Sequence, residues 1–150
     1  MPQNKFFTPL LILLLAFGFQ HAAKTVFGWS PDFALGAVIT FSLFFGFIEI
    51  AFIGLVGVFI LNWQPQFSPE ALMFIALPLL IVAVKKYFPW RIELNHILLV
   101  FAGLVIFYGV SNYGSFSADI PLFLKIAGST LLFSALVFQI FNYFYKIKEI

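Results

Sequence analysis

From Phe33 to Leu61 the chain reads FALGAVITFSLFFGFIEIAFIGLVGVFIL, 29 residues in which Glu49 is the only ionisable group. A single helix of that length would run roughly 44 Å, well beyond the roughly 30 Å of hydrocarbon in a bilayer. Two shorter helices fit better. A carboxylate at the centre of one lipid-facing helix costs about 2.5 to 3.5 kcal/mol on insertion scales, whereas at the tip of a hairpin it reaches water. The stretch therefore predicts a helical hairpin turning at Gly46 and Glu49, each arm near 15 residues and short for an average bilayer.

The rest of the chain belongs to the same class. Hydrophobic residues make up 63% and charged residues 9%, with a mean hydropathy of +1.07, far from a soluble domain's usual quarter charged. Apolar blocks recur over all 150 residues, which predicts one polytopic membrane domain, 1–150, and no separate soluble unit. Without cysteine there is no disulfide, thiolate metal site or cysteine nucleophile. A net charge of +2 gives no reason to expect nucleic acid.

The expected fold is an all-α integral membrane bundle with spans near 6–23, 33–46, 48–62, 70–84, 94–110 and 120–144. The first block, preceded by Lys5 and ending in small residues, also has the outline of a signal peptide. Further spans behind it and Pro9 in its opening turn favour a first membrane helix. Loops are expected at Lys24 to Asp32, Asn62 to Glu70, Lys85 to Glu93 and Ser111 to Asp119, with a kink at Pro78. Tyr87 and Trp90 read as interface anchors, and Lys125 as a residue that snorkels to the headgroups.

With six spans and an internal N-terminus, Lys5, Lys85, Lys86, Arg91, Lys146 and Lys148 are cytoplasmic, and only Lys24 and Lys125 lie outside. A five-span arrangement with an external N-terminus scores the same, because Lys5 and Lys24 exchange sides.

Glu49 is the acid to consider for proton or cation handling, but no second buried acid or base accompanies it, so a turn or hydrogen-bonding role at the hairpin is the stronger expectation. Ala51, Gly54 and Gly57 leave a smooth strip on the third span, and Gly36, Ala37 and Thr40 a similar one on the second. These small surfaces suit packing on one another or holding a partner's helix. His21 and His96 end apolar blocks without a second ligand at helical spacing, which predicts interfacial hydrogen bonding and no metal site. Lys85, Lys86 and Arg91 form a basic loop suited to anionic headgroups or a cytoplasmic protein. No nucleophile elbow, phosphate-binding loop or paired acids of a hydrolase occur, so the expectation is a non-enzymatic protein without cofactors.

The segment VFGWSPDFAL, with Phe27, Gly28, Pro31 and Asp32, resembles the Phe-Gly-x-x-Pro-Asp-x-x-Leu start of the second span in the rod-shape-determining MreD family. Gly46, Glu49 and Gly54 follow at that family's spacing, Gln20 and the basic loop fit its pattern, and Asn62 stands where the family often has Asp. The resemblance implies six helices with both termini cytoplasmic, in the bacterial cytoplasmic membrane. It also implies a scaffold of the cell-wall elongation (cell-shape) complex, which builds peptidoglycan. Its expected partners are an MreC-type single-span protein, an actin-like MreB filament, and a glycosyltransferase and transpeptidase. Asn62 puts in doubt any role that needs a carboxylate there.

Two other classes compete. A substrate-binding subunit of an energy-coupling-factor vitamin transporter has similar length and helix number, but needs convergent polar groups. Asp32, Asn62, Gln64, Glu70, Asn112 and Asp119 show no evident cluster along the sequence. A lipid-modifying enzyme would need His21, Asp32 and Glu49 to converge.

Overall fold

An α-helix ends where the chain meets a residue at ease in the left-handed region, and Gly28 is such a residue. Its φ is +74°, and its N–H donates back to the Lys24 carbonyl at 3.1 Å, closing α1 (Phe7–Phe27). The helix therefore absorbs Lys24 to Phe27, which sequence reasoning assigned to a loop. Thr25 helps by donating its hydroxyl to the His21 carbonyl at 3.1 Å.

The computed structural model describes residues 6–61, 68–88 and 92–145. Every regular element among them is helical: α1, then α2 (Phe33–Phe44), α3 (Phe47–Leu61), α4 (Pro69–Val84), α5 (Ile92–Ser111), α6 (Tyr113–Ala118) and α7 (Ile120–Tyr145). A 3-10 turn, Lys85–Tyr87, extends α4. The hairpin predicted from length is present, its turn made by Phe45 and Gly46. Ser68 caps α4 by accepting from the Ala71 N–H at 3.2 Å, with Pro69 in the first turn, where its missing N–H costs nothing. The segment Ser111 to Asp119, expected as a loop, contains the short helix α6, and Leu122 N–H donates to Asp119 Oδ1 at 3.0 Å where α7 begins. Asn62, Gln64, Trp90, Arg91 and the terminal lysines lie outside the described residues.

The architecture is organised around α2. It touches α1, α3, α4, α5 and α7, and all nine residues from Ala34 to Ser42 are buried. A helix that is apolar on every side belongs inside a bundle, and small residues let it sit close. A Cβ on Gly36 would come within 2.7 Å of Thr130 Cγ2 on α7. Toward the far end Phe41 meets Phe141 at 5.0 Å between ring centroids, and Phe141 stacks on Tyr145 at 5.1 Å. Gly54 and Gly57 of α3 are also occupied within the bundle: a Cβ on Gly57 would lie 2.6 Å from Phe74 of α4. The two strips of small residues thus serve different neighbours, α7 and α4, and do not pack on each other.

Among the described residues three helices, α1, α5 and α7, are long and apolar enough to cross a membrane. Large apolar side chains such as Leu14, Phe59 and Leu132 cover the outer surface, as suits a lipid environment. The others are shorter: at 1.5 Å per residue α2, α3 and α4 measure about 18, 22 and 24 Å, and α6 has six residues.

Candidate functional site

Burying α2 on all sides leaves its terminal N–H and C=O groups in need of partners, and an unpaired buried backbone group costs about 1 to 3 kcal/mol. Side chains from distant segments supply them. At the N-terminal end, the Ala34 N–H donates to Gln20 Oε1 of α1 at 3.2 Å, and the Asp32 N–H donates to Thr130 Oγ1 of α7 at 3.1 Å. The Asp32 carboxylate does not cap its own helix; it accepts a hydrogen bond from the Tyr108 hydroxyl of α5. Burial pushes the Asp32 carboxyl up to about 6, the Tyr108 hydrogen bond pulls it back, and the negative charge of Glu70 raises it again.

These groups line a cavity of about 330 Å³ where the ends of α1, α2, α4 and α5 meet. Gln20, Asp32 and Tyr108 are joined there by Ser68, Glu70, Ser111 and Asn112, while Phe74 and Phe107 add aromatic wall. The volume falls at the lower end of small-molecule sites, roughly 300 to 1,000 Å³. Asp32, Glu70 and Asn112, scattered along the sequence, do form a polar cluster, which corrects the expectation that none exists. Sequence reasoning missed Tyr108, Ser68 and Ser111 as members. Their signal was weak: each sits at or near the border of an apolar block, where polar residues are ordinary.

The other end of α2 is finished by one cation. Lys85 Nζ donates to the carbonyls of Ser42 at 3.0 Å, Leu43 at 3.3 Å and Phe45 at 3.0 Å. Partial burial draws its ammonium below the ordinary lysine range, and the carboxylate of Glu49 opposes that shift. Lys85 is thus a helix cap rather than a free headgroup contact, whereas Lys86 stays exposed with its ammonium 5.0 Å from the Tyr87 ring centroid. Glu49 lies in the first turn of α3, and its Oε2 accepts from the Gly46 N–H at 2.7 Å, the back-reaching half of a capping box. That is the hydrogen-bonding role expected of it at the hairpin.

Between the two ends, Thr40 Oγ1 donates to the Gly36 carbonyl at 2.8 Å and lies 3.0 Å from His96 Nε2. A hydroxyl has one proton, so the imidazole Nε2–H is the donor to Thr40. His96 is 2% exposed and stacks on Phe138 at 4.6 Å, so it belongs to the core and not to an interface, contrary to expectation. His21 is exposed on α1. The enzyme set His21, Asp32 and Glu49 is not brought together: Asp32 precedes α2 and Glu49 follows it, about 18 Å of helix intervening. No group of three or more His, Cys, Asp or Glu able to hold a metal occurs among the described residues.

Comparison of the chain with protein-family models, with curated proteins and with solved structures finds no match.

Proposed function

We propose that this chain is a non-enzymatic, six-span subunit of the bacterial elongation complex, resident in the cytoplasmic membrane with both termini in the cytoplasm. It would hold the transmembrane segment of an MreC-type protein and thereby connect to the actin-like filament and the peptidoglycan-building enzymes. One observation carries the reading. Four residues of the MreD-like pattern form a connected junction: Gly28 ends α1, Pro31 is buried, Asp32 bonds to α5 and α7, and Gln20 caps α2. A pattern of residues that locks four helices together is what a scaffold with a fixed shape requires. In this reading α2, α3 and α4 also span, their deficit in length met by local thinning and by burial among longer neighbours. Lipid cannot satisfy backbone groups, so the side-chain caps on both ends of α2 are what such a short span needs.

The partner's helix would bind elsewhere than on Gly54 and Gly57, which α4 already covers. Co-purification tests the proposal. An MreC-type protein from the same genome should remain associated in mild detergent, and failure to associate would remove the reading. Cysteine labelling at position 86 from the cytoplasmic side checks the orientation.

The cavity favours a second reading, a small-molecule-binding subunit of the energy-coupling-factor type, since it supplies the convergent polar groups such a protein needs. A ligand retained at near-stoichiometric amount through purification would promote it.

A further inference from the structure

The cavity at the N-terminal end of α2 combines acidic and aromatic walls without a balancing cation among the described residues that line it. None of the described residues lining it is Lys, Arg or His. Asp32 and Glu70 bring two carboxylates, and Phe74, Phe107 and Tyr108 bring aromatic side chains. Burial draws the Asp32 carboxylate out of water, where a carboxylate is ordinarily paired with a cation, while Glu70 is exposed. The N-terminal end of α2 eases the burial of Asp32, but a helix end offers only about half a unit charge. The cavity's volume suits a small organic group and not a peptide segment.

We infer that this cavity binds an organic ammonium group, its charge set against Asp32 and Glu70 and its alkyl shell against Phe74 and Phe107. Aromatic walls add cation–π attraction for such groups, which separates them from metal ions that need more oxygen ligands. The ammonium could be carried by a free amine or by a phospholipid headgroup. The inference rests on the cavity and is independent of the scaffold reading.

The test uses the full chain in nanodiscs of phosphatidylglycerol, which brings no ammonium of its own. Choline chloride is titrated calorimetrically beside its neutral isostere 3,3-dimethylbutan-1-ol and an equal concentration of sodium chloride. A parallel set of nanodiscs contains phosphatidylethanolamine, and the lipid retained after delipidation is identified by mass spectrometry. Saturable choline binding that the isostere does not share, weakened at least tenfold by Glu70→Gln, supports a free amine as ligand. Glu70 is exposed, so this variant keeps its fold; Asp32→Asn should act likewise, with circular dichroism verifying its helices. Retention of phosphatidylethanolamine that Glu70→Gln abolishes assigns the same site to a headgroup. Equal binding of the isostere, a heat reproduced by sodium alone, or no retention of either ammonium overturns the proposal. None of these outcomes alters the co-purification result, so the two readings fail separately.

Discussion

At its N-terminal end α2 shares its needs among three helices, with Gln20, Thr130 and Tyr108 each making one bond, while at its C-terminal end Lys85 alone serves three carbonyls. The first arrangement is distributed and leaves space between the contributors, which is where the cavity lies. The second is concentrated and closed, with Glu49 holding the adjoining turn. The lesson is one of tolerance: an end held by several weak bonds survives the loss of one, whereas an end held by one charge does not. Room for a ligand goes with the distributed end.

The contrast is most exposed at Lys85. Lys85→Met keeps the length of the side chain but leaves three carbonyls without their donor, and should lower stability by about 3 kcal/mol, read as a fall in the thermal midpoint in detergent. A loss no greater than that of Gln20→Leu would make the two ends equivalent and break the comparison. Gly36→Ala forces a methyl against Thr130 and should cost about 2 kcal/mol. Thr130→Ser in the same chain removes the opposing methyl, keeps the hydroxyl for Asp32, and should restore most of that loss. Tyr108→Phe strips one charge-assisted bond from Asp32 and should cost about 1.5 kcal/mol. Gln20→Leu, one neutral cap, should cost about 1 kcal/mol.

The smallest effect is the pH dependence of the distributed end. The folded state holds the Asp32 proton up to about pH 6, whereas the ordinary carboxyl of the unfolded chain releases it near 3.8. Stability therefore falls as pH climbs between those values and levels off above them. Because the cavity is open to solvent, the expected change in midpoint is a few degrees at most. Asp32→Asn should abolish it.

The hairpin was legible in the sequence because its evidence is one-dimensional: a mostly apolar stretch of 29 residues is too long for one span, and Glu49 marks the turn. That α2 lies at the centre was not. Periodicity distinguishes a buried face from an exposed one only when polar residues mark the outer side, and from Phe33 to Phe44 none but Thr40 and Ser42 interrupt the apolar run. Lipid and protein interior are alike to such a segment. Gln20 and Asp32 were legible as a pattern, but their chemistry was not, because it depends on Tyr108 and Thr130, 76 and 98 residues from Asp32. The role of Lys85 was hidden by its neighbours: three basic residues within seven positions read as a surface feature, and only the packing separates the half-buried one from the rest.

The bond from Asp32 to Thr130 sets an order of manufacture. The helix at the centre is synthesised well before α7, yet the hydroxyl that completes its starting turn is made nearly a hundred residues later. Until then its first N–H must be served by water or by a neighbour that later yields. A ribosome arrested between residues 118 and 130 would hold a nascent chain in which α1 to α6 are synthesised and Thr130 is still missing, leaving the start of α2 accessible to reagents that the mature protein excludes.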